Sequence, residues 1–166
     1  MKHLSNLYWV TLLGLLLGAC ASGPRYDTTR ALPPQVTPEA AVPQMEAVGG
    51  RAVVWGGVIL SSANLREGSQ MELLGYPLSA SQRPDASAPP VGRFLVRWPS
   101  YLETVDYAQG RLVTVSGVLG GVREGRVGES RYRYPVVTAD GIYLWPRASA
   151  ASEPRVHFGI GLMFHN

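Results

Sequence analysis

The stretch Arg51-Ala-Val-Val-Trp-Gly-Gly-Val-Ile-Leu60 decides the fold that we expect for this chain. It is rich in β-branched and aromatic residues, which favour a strand. In its middle, Gly56 and Gly57 predict a bulge or a sharp bend, which closed sheets use to turn corners. The stretch therefore indicates a bent strand in a small β-rich domain.

Further short strands follow this one. We predict strands over residues 70–76, 92–98, 111–119, 129–137 and 142–145, with turns over residues 64–69, 120–128 and 140–141 and a loop over residues 79–90. In the strand over 92–98, Phe94, Val96 and Trp98 share one face by the two-residue period. Trp55, Trp98 and Trp145 lie on three of the strands, and large aromatic residues in a small barrel are usually core. A ligand groove lined by the tryptophans is the less favoured alternative.

Residues 99–109 are the best candidate for a short helix or a helical turn, which Pro99 or Ser100 would start and Gly110 would end. The order is then three strands, a short helix and further strands. A small closed or nearly closed antiparallel barrel fits this order, because closure removes exposed sheet edges. An OB-like barrel, with a helix between its third and fourth strands, is the specific all-β fold that we predict.

The chain begins with a segment typical of export. A weakly positive start precedes an uncharged, leucine-rich stretch over residues 4–18, which is too short for a bilayer-spanning helix of ~20 apolar residues. The stretch closes on Leu17-Gly18-Ala19-Cys20. This motif resembles the bacterial lipoprotein box, whose form is Leu, a small residue, Gly or Ala, and Cys.

The resemblance to the lipoprotein box implies a lipid anchor on Cys20. Proteins of that class carry an S-diacylglycerol and an N-acyl chain on the cysteine, after the leader is cut before it. We expect no other cofactor. Ala21 implies delivery to the outer membrane, because an Asp in its place would mark retention in the inner membrane. The alternative is an incidental cysteine in an uncleaved anchor, although a lone thiol is unusual in an exported protein.

The chain divides into four parts. These are a signal peptide over residues 1–19, an acylated cysteine and Pro-rich tether over 20–48, a β-barrel domain over 49–146, and a tail over 147–166. Prolines disfavour regular structure in the tether, so we predict a flexible linker that spans ~30 Å. The alternative is an arm packed along the domain and anchored by Val42, Met45 and Val48. Residues 156–164 of the tail alternate as an edge strand would.

Charge and histidine placement argue against several classes of function. The formal net charge is +3, which does not require a nucleic-acid partner. His3, His157 and His165 all lie outside the predicted barrel, so we predict no catalytic residues and no metal site. Glu103 and Asp106 could share a helix face as an acid–base pair, but a solvated face is the favoured interpretation.

Basic and aromatic residues are interleaved late in the chain. The candidate ligand-binding residues are Arg123, Arg126, Arg131, Tyr132, Arg133 and Tyr134. Arginine suits phosphate and carboxylate, and aromatic rings stack on sugars. Lipid headgroups, lipopolysaccharide and peptidoglycan carboxylates are the expected ligands. The favoured alternative is a strand with arginines outward, balanced by Glu124 and Glu129, and tyrosines in the core.

These segments together resemble the Slp family of bacterial outer-membrane lipoproteins. The resemblance begins at Gly50-Arg-Ala-Val-Val-Trp-Gly-Gly-Val-Ile59 and continues over residues 72–78, 92–94, 110–118, 128–137 and 142–145. It implies a lipid-anchored, periplasm-facing, non-catalytic protein with a structural or protective role linked to stress. A binding module for an anionic envelope ligand is the alternative. An envelope protein or glycan is the expected partner.

Overall fold

The computed structural model describes residue 23, residues 25–33 and residues 36–147. The signal peptide, Cys20, and residues 148–166 with both tail histidines and the predicted edge strand lie outside the described residues. The described part contains two short helices, α1 (Pro38–Ala41) and α2 (Met45–Val48), and the strands β1 (Ala52–Leu65), β2 (Gly68–Tyr76), β3 (Arg93–Trp98), β4 (Leu112–Val127) and β5 (Ser130–Leu144).

The five strands close into a barrel in the order β1, β2, β3, β5, β4, with β4 returning to β1. All neighbours are antiparallel except β3 and β5, which pair in parallel from Leu95↔Val136 to Arg97↔Thr138. A five-stranded barrel of this order is OB-like. The structure therefore confirms the predicted fold class.

Strand β1 contains an irregularity of the predicted kind, but its bulge lies a few residues later than expected. The pairing with β2 runs unbroken through Gly56 and Gly57, and the register shifts between Ile59 and Ser61. The two glycines serve a close approach instead. A Cβ on Gly57 would collide with the carbonyl oxygen of Leu74 on the neighbouring strand. Gly57 is thus required where β1 pairs closely with β2, whereas a Cβ on Gly56 would collide with the side chains of Pro84 and Leu78.

Strands β4 and β5 are much longer than the sequence predicts. The predicted turn over residues 120–128 is wrong for most of its length, because β4 continues to Val127 and the turn begins at Gly128. The register shifts after Leu119, and Gly121 has a φ of 121° there. The glycines therefore form a bulge inside the strand rather than its end.

The predicted turn at Asp140 and Gly141 is also a bulge. Gly141 pairs with Ser116, and the register shifts before Gly117. The separate strand predicted over residues 142–145 is consequently the end of β5. The barrel has five strands because these bulges absorb the irregular residues without breaking the ladder.

Residues 99–109 contain the predicted helical turn, but this turn is not continued into a helix. A single helical turn closes, from the amide of Tyr107 to the carbonyl of Glu103 at 3.1 Å. The side chain of Asn64 on β1 forms hydrogen bonds with both backbone groups of Leu102. Its Nδ2 donates to the Leu102 carbonyl at 3.0 Å, and its Oδ1 accepts from the Leu102 amide at 3.3 Å. The loop is thereby tied to the barrel instead of continuing as a helix.

The last part of the predicted tether packs on the barrel and contains both helices. The Thr37 hydroxyl caps α1 by accepting from the Ala40 amide at 3.2 Å. Pro38 stands at the start of α1, where proline fits the helix geometry. Val48 is buried and Met45 packs against the core. The proline-rich composition thus does not prevent helix formation here, and this end behaves as the packed arm of the alternative.

The barrel interior is filled by aliphatic and aromatic side chains. Phe94, Val96 and Leu73 are fully buried, and Trp55 packs edge-on against Phe94 with ring centroids 5.3 Å apart. Trp98 packs against the same cluster, so the expected core role of these tryptophans is confirmed. Burial of one such side chain contributes about 1.5–3 kcal/mol.

Candidate binding surface on the β4–β5 arm

The β4–β5 hairpin extends well beyond the barrel wall. The pairing of β4 with β1 ends at Val118, whereas the pairing of β4 with β5 continues to Val127 and Ser130. We refer to residues 120–136 as the arm. It contains all six residues that the sequence singles out as candidate ligand contacts.

The ladder register divides the arm into two faces. Arg126 lies opposite Arg131, and Glu124 lies opposite Arg133. Directly opposed residues share a face, and all four of these are exposed. We refer to this group as the arginine face. The opposite face contains Tyr132 and Tyr134, so the alternation of arginine and tyrosine predicted for β5 is present.

The tyrosine face of the arm covers the outer surface of β3. Tyr134 is 4% exposed and forms a second core with Leu95 and Val136. Tyr132 and Val127 pack against this core, and the rings of Tyr132 and Tyr134 lie 4.7 Å apart. Tyr134 is thus a core residue, as the alternative interpretation of this stretch had it, and Tyr132 is half-buried.

Polar contacts fasten the tyrosine face to the barrel. Arg93 and Glu72 form an ion pair at 2.7 Å beneath the arm. The Tyr134 hydroxyl lies 3.2 Å from both Glu72 Oε1 and the Arg126 carbonyl oxygen, and it can donate to either. The Tyr132 hydroxyl accepts from the Arg93 amide at 2.9 Å. Burial, followed by the nearby Glu72 carboxylate, raises the pKa of Tyr134.

Two of the candidate arginines are engaged within the protein. Arg123 Nη1 donates to Gln70 Oε1 at 2.7 Å, which links the arm to β2. Arg126 Nη2 donates to the Glu129 carbonyl at 2.9 Å, which closes the turn between β4 and β5. These contacts position the arm, and they leave part of each guanidinium group with further donors to offer.

The other two arginines of the arginine face are less constrained. Arg131 and Arg133 form no hydrogen bond or ion pair through their side chains with residues that the structure describes. The side chains of Glu124 and Glu129, the expected counterions, form no ion pair with them either. Arg126 and Arg131 are like charges at directly opposed positions, which destabilises a ladder. Their excess positive charge can be compensated by an anion from outside.

The arginine face borders a depression of about 460 Å³. Its walls are formed by Glu124, Gly125, Arg126, Arg131, Tyr132 and Arg133. The arrangement offers several planar guanidinium groups beside the edge of one half-buried aromatic ring. It can bind phosphate or carboxylate groups and contact a sugar ring.

The supporting residues of the arm were not recognisable in the sequence. Gln70, Glu72 and Arg93 lie at least 39 positions from their partners on the arm. No local pattern marks them, because their role exists only after β2 and β3 have paired. The position of the tyrosines, in contrast, follows from the strict alternation in β5.

A second cavity, of about 470 Å³, lies between the N-terminal segment and β1. Leu32, Val54, Tyr76 and Leu78 are among its mostly apolar lining residues. This cavity could not be predicted from the sequence, because it depends on the packing of a segment that was expected to stand away from the barrel.

The acid–base pair and the metal site, both of which the sequence disfavours, gain no support from the geometry of the described residues. Glu103 and Asp106 are both exposed, and the single helical turn that they form part of is not continued into a helix. In the described part of the chain, His, Cys, Asp and Glu do not gather in groups of three that could hold a metal ion. None of the helices formed by the described residues is long and apolar enough to cross a membrane.

Comparison with known families identifies the class of protein. The sequence matches the family described as the outer membrane lipoprotein Slp family over residues 17–162. The chain therefore belongs to the Slp family of outer-membrane lipoproteins. The resemblance seen in the sequence is confirmed, and so is the outer-membrane location.

Two relatives show how far the similarity extends. An uncharacterized protein of Haemophilus influenzae is 30% identical over 105 residues, which are 63% of this chain and 57% of that protein. The uncharacterized lipoprotein YeaY of Escherichia coli is 26% identical over 131 residues, which are 79% of this chain and 67% of that protein. The aligned part thus covers little more than half of the Haemophilus relative.

Two solved structures are similar to the barrel. One is the mitochondrial single-stranded DNA-binding protein Rim1 of S. cerevisiae, with a TM-score of 0.37 and 13% identity. The other is a small single-stranded DNA-binding protein of Streptomyces coelicolor, with a TM-score of 0.36 and 19% identity. Each match covers 57% of this chain and 94% of the other. Neither similarity bears on what this chain binds.

Proposed function

We propose that this outer-membrane lipoprotein is a non-catalytic contact module of the cell envelope, and that its arginine face binds a polyanionic envelope ligand. The observation that carries the proposal is the like-charged pair Arg126 and Arg131, with Arg133 beside it and no ion pair in the arm to offset them. Such a group of guanidiniums favours a ligand with several phosphate or carboxylate groups.

The arm is well prepared for binding because its other face is fixed. The second core around Tyr134 and the link from Arg123 to Gln70 hold the backbone in one place. Binding then has to order only the outer arginine side chains, which lowers the entropic cost. The ligand class includes lipopolysaccharide phosphates, phospholipid headgroups and peptidoglycan carboxylates.

The proposal includes a lipid on Cys20, with an S-diacylglycerol and an N-acyl chain. It is supported by membership of a lipoprotein family and by Cys20 being the chain's only cysteine. Leu17, Gly18 and Ala19 would direct processing. Cys20→Ala should leave an uncleaved precursor without lipid, seen as a change in intact mass. A Cys20→Ala protein that still matures and floats with membranes would contradict this part.

A structural or protective role linked to stress is consistent with a lipid-anchored protein that binds an envelope anion. One anchor and one anion-binding arm would hold the protein between the outer membrane and an envelope glycan or protein, on the periplasmic side. The modest net charge of +3 gives no reason to propose a nucleic-acid partner. A mutant lacking the protein should then show altered resistance to envelope stress, while a measurable catalytic turnover would overturn the non-catalytic assignment.

The binding proposal can be tested with the mature chain, produced without the leader and carrying Cys20→Ser so that lipid does not dominate binding. Its affinity is measured for lipopolysaccharide, for vesicles of anionic phospholipid and for purified peptidoglycan. An Arg near an anionic surface contributes about 1 kcal/mol, so Arg131→Gln with Arg133→Gln should weaken binding about thirtyfold.

The control is the double variant Arg51→Gln with Arg66→Gln, which removes the same charge from exposed arginines outside the arm. It should weaken binding far less. Equal losses in the two double variants would show that net charge, not the arginine face, governs binding. The ligand with the largest difference between the two variants identifies the anion source.

A further inference from the structure

We infer that the barrel rests directly on the membrane through one loop, residues 99–110, at the corner where Trp145 is buried. This inference concerns a different surface from the arginine face, and it rests on the proposed acylation of Cys20. Its partner is the headgroup layer of a phospholipid bilayer. The loop and the Trp145 corner together are referred to below as the membrane face.

The first described residues of the mature chain already touch the barrel. Gly23 packs against the indole of Trp145, and a Cβ there would lie 3.5 Å from the Ser81 carbonyl oxygen. Two hydrogen bonds of 2.8 Å then join the backbone of Tyr26 to the side chain of Gln82. The segment is therefore bonded to the barrel at this corner.

This contact leaves very little free chain between the lipid and the barrel. Cys20 is three residues before Gly23, and a fully extended chain spans at most ~3.6 Å per residue. Three residues of extended chain therefore span at most ~11 Å. A lipid in the bilayer must hold the Trp145 corner close to the headgroups, not at the end of a long tether.

A single arginine joins this corner to the neighbouring loop. The Arg111 guanidinium donates to the Trp145 carbonyl at 3.1 Å and to the Asp106 carbonyl at 2.8 Å. The loop over residues 99–110 is thus adjacent to the corner at which the anchor arrives.

That loop exposes the two least covered large hydrophobic side chains in the described part of the chain. Val105 is 73% exposed and Tyr101 is 69% exposed, compared with 55% for Leu65 and 42% for Val118. Exposed apolar groups of this kind mark interaction surfaces, and tyrosine favours the level of lipid headgroups.

Charge is not the main attraction at the membrane face. Arg25 and Arg147 are exposed near the corner, but Glu103 and Asp106 are exposed on the loop itself. These carboxylates offset the arginines. The contact should therefore depend on the apolar side chains and the anchor, with little preference for anionic lipid.

The orientation separates the membrane face from the arginine face. The Trp145 corner adjoins the open end of the β4–β5 hairpin, where Val113 pairs with Leu144, and the arm turn is its closed end. A strand as long as β4 (Leu112–Val127) measures ~50 Å along its length. The arm is thereby available to a ligand away from the anchoring lipid.

The test uses the mature acylated full chain in vesicles of zwitterionic phosphatidylcholine, which carry no net negative charge for the arginine face to bind. Since the Cys20 sulfur carries lipid, an introduced cysteine is the only free thiol for a fluorescent label that senses polarity. Labels are placed through Val105→Cys or Tyr101→Cys on the membrane face, through Val118→Cys as a matched exposed valine, and through Ser130→Cys at the arm turn. All four positions are exposed, and circular dichroism checks that each variant is folded.

We expect the labels at 105 and 101 to shift to shorter wavelength on vesicles. They should be quenched several-fold more by a nitroxide on the lipid headgroup, and less by aqueous iodide, than the labels at 118 and 130. Equal quenching at all four positions would overturn the inference. So would a label at 105 that is shielded from both quenchers, because a protein would then cover the loop.

Failure of the proposed acylation gives a different signature. The protein would not cosediment with vesicles in any variant, and its intact mass would lack the lipid. Retention on vesicles with a water-exposed label at 105 would leave the acylation standing and would overturn the membrane face alone.

Discussion

Replacement of Gly57 by alanine tests the close pairing of β1 with β2, on which the barrel depends. The added Cβ would collide with the carbonyl of Leu74, and backbone atoms cannot move aside as a flexible side chain can. Overpacking of a core costs 1–3 kcal/mol and sometimes more. We expect Gly57→Ala to lower the free energy of unfolding by about 3 kcal/mol, since the clash is with backbone.

The matched control is Gly120→Ala, at a glycine of the same sheet. There the added Cβ would meet Thr138 Oγ1 at 3.4 Å, an ordinary contact, so stability should change by less than about 1 kcal/mol. Urea unfolding followed by tryptophan fluorescence measures both. At ~4 °C per kcal/mol, Gly57→Ala should also lower the melting temperature by ~12 °C. Equal stabilities for the two variants would refute the close approach at Gly57.

Two other changes test the contacts that fix the outer surface. The pKa of Tyr134 is raised, chiefly by burial, so the stabilising effect of its protonated hydroxyl is complete below the unfolded value of 10.0 and is lost as the pH rises above it. Tyr134→Phe should therefore reduce the fall in the urea midpoint between pH 8 and pH 11. An unchanged fall would contradict this. Thr114→Val removes the buried hydroxyl that accepts from the Trp145 indole at 2.9 Å, so stability should drop by about 1–3 kcal/mol. The exposed Thr138→Val is its control in thermal unfolding, and equal losses would argue against the buried bond.

The sequence carried enough information for the barrel because its strands alternate locally. Phe94, Val96 and Trp98 follow the two-residue period, and period alone assigns them to the interior. The long hairpin could not be predicted in the same way. Glycine around position 120 marks a turn or a bulge equally well, and only the partner strand decides between them.

Helix α1 and the loop around Leu102 also could not be predicted from local sequence. Proline around position 38 argues against regular structure on average, but a proline at the first position of a helix is well tolerated. Leu102 satisfies its backbone groups with Asn64, which is 38 positions away. A long-range hydrogen bond of this kind, which competes with the bonds of a helix, cannot be recognised in the local sequence.

The candidate site was predictable in part. Arginines and tyrosines alternate in β5, so their separation onto two faces follows from the pleat. The pleat does not predict which of these arginines remain available to bind a ligand. Arg123 is engaged because Gln70 lies beside it in the folded barrel. Arg126 and Arg131 concentrate positive charge because the strand register places them opposite each other, and this register exists only once the full length of β4 and β5 has paired.

The most direct test of the central claim is the salt dependence of binding to the envelope anion preferred by the mature chain. If the arginine face makes the contact, affinity should fall steeply as salt screens the exposed charges. Arg131→Gln with Arg133→Gln should flatten that dependence, whereas Arg51→Gln with Arg66→Gln should preserve it. Identical salt dependence in the unmodified chain and both double variants would contradict the account.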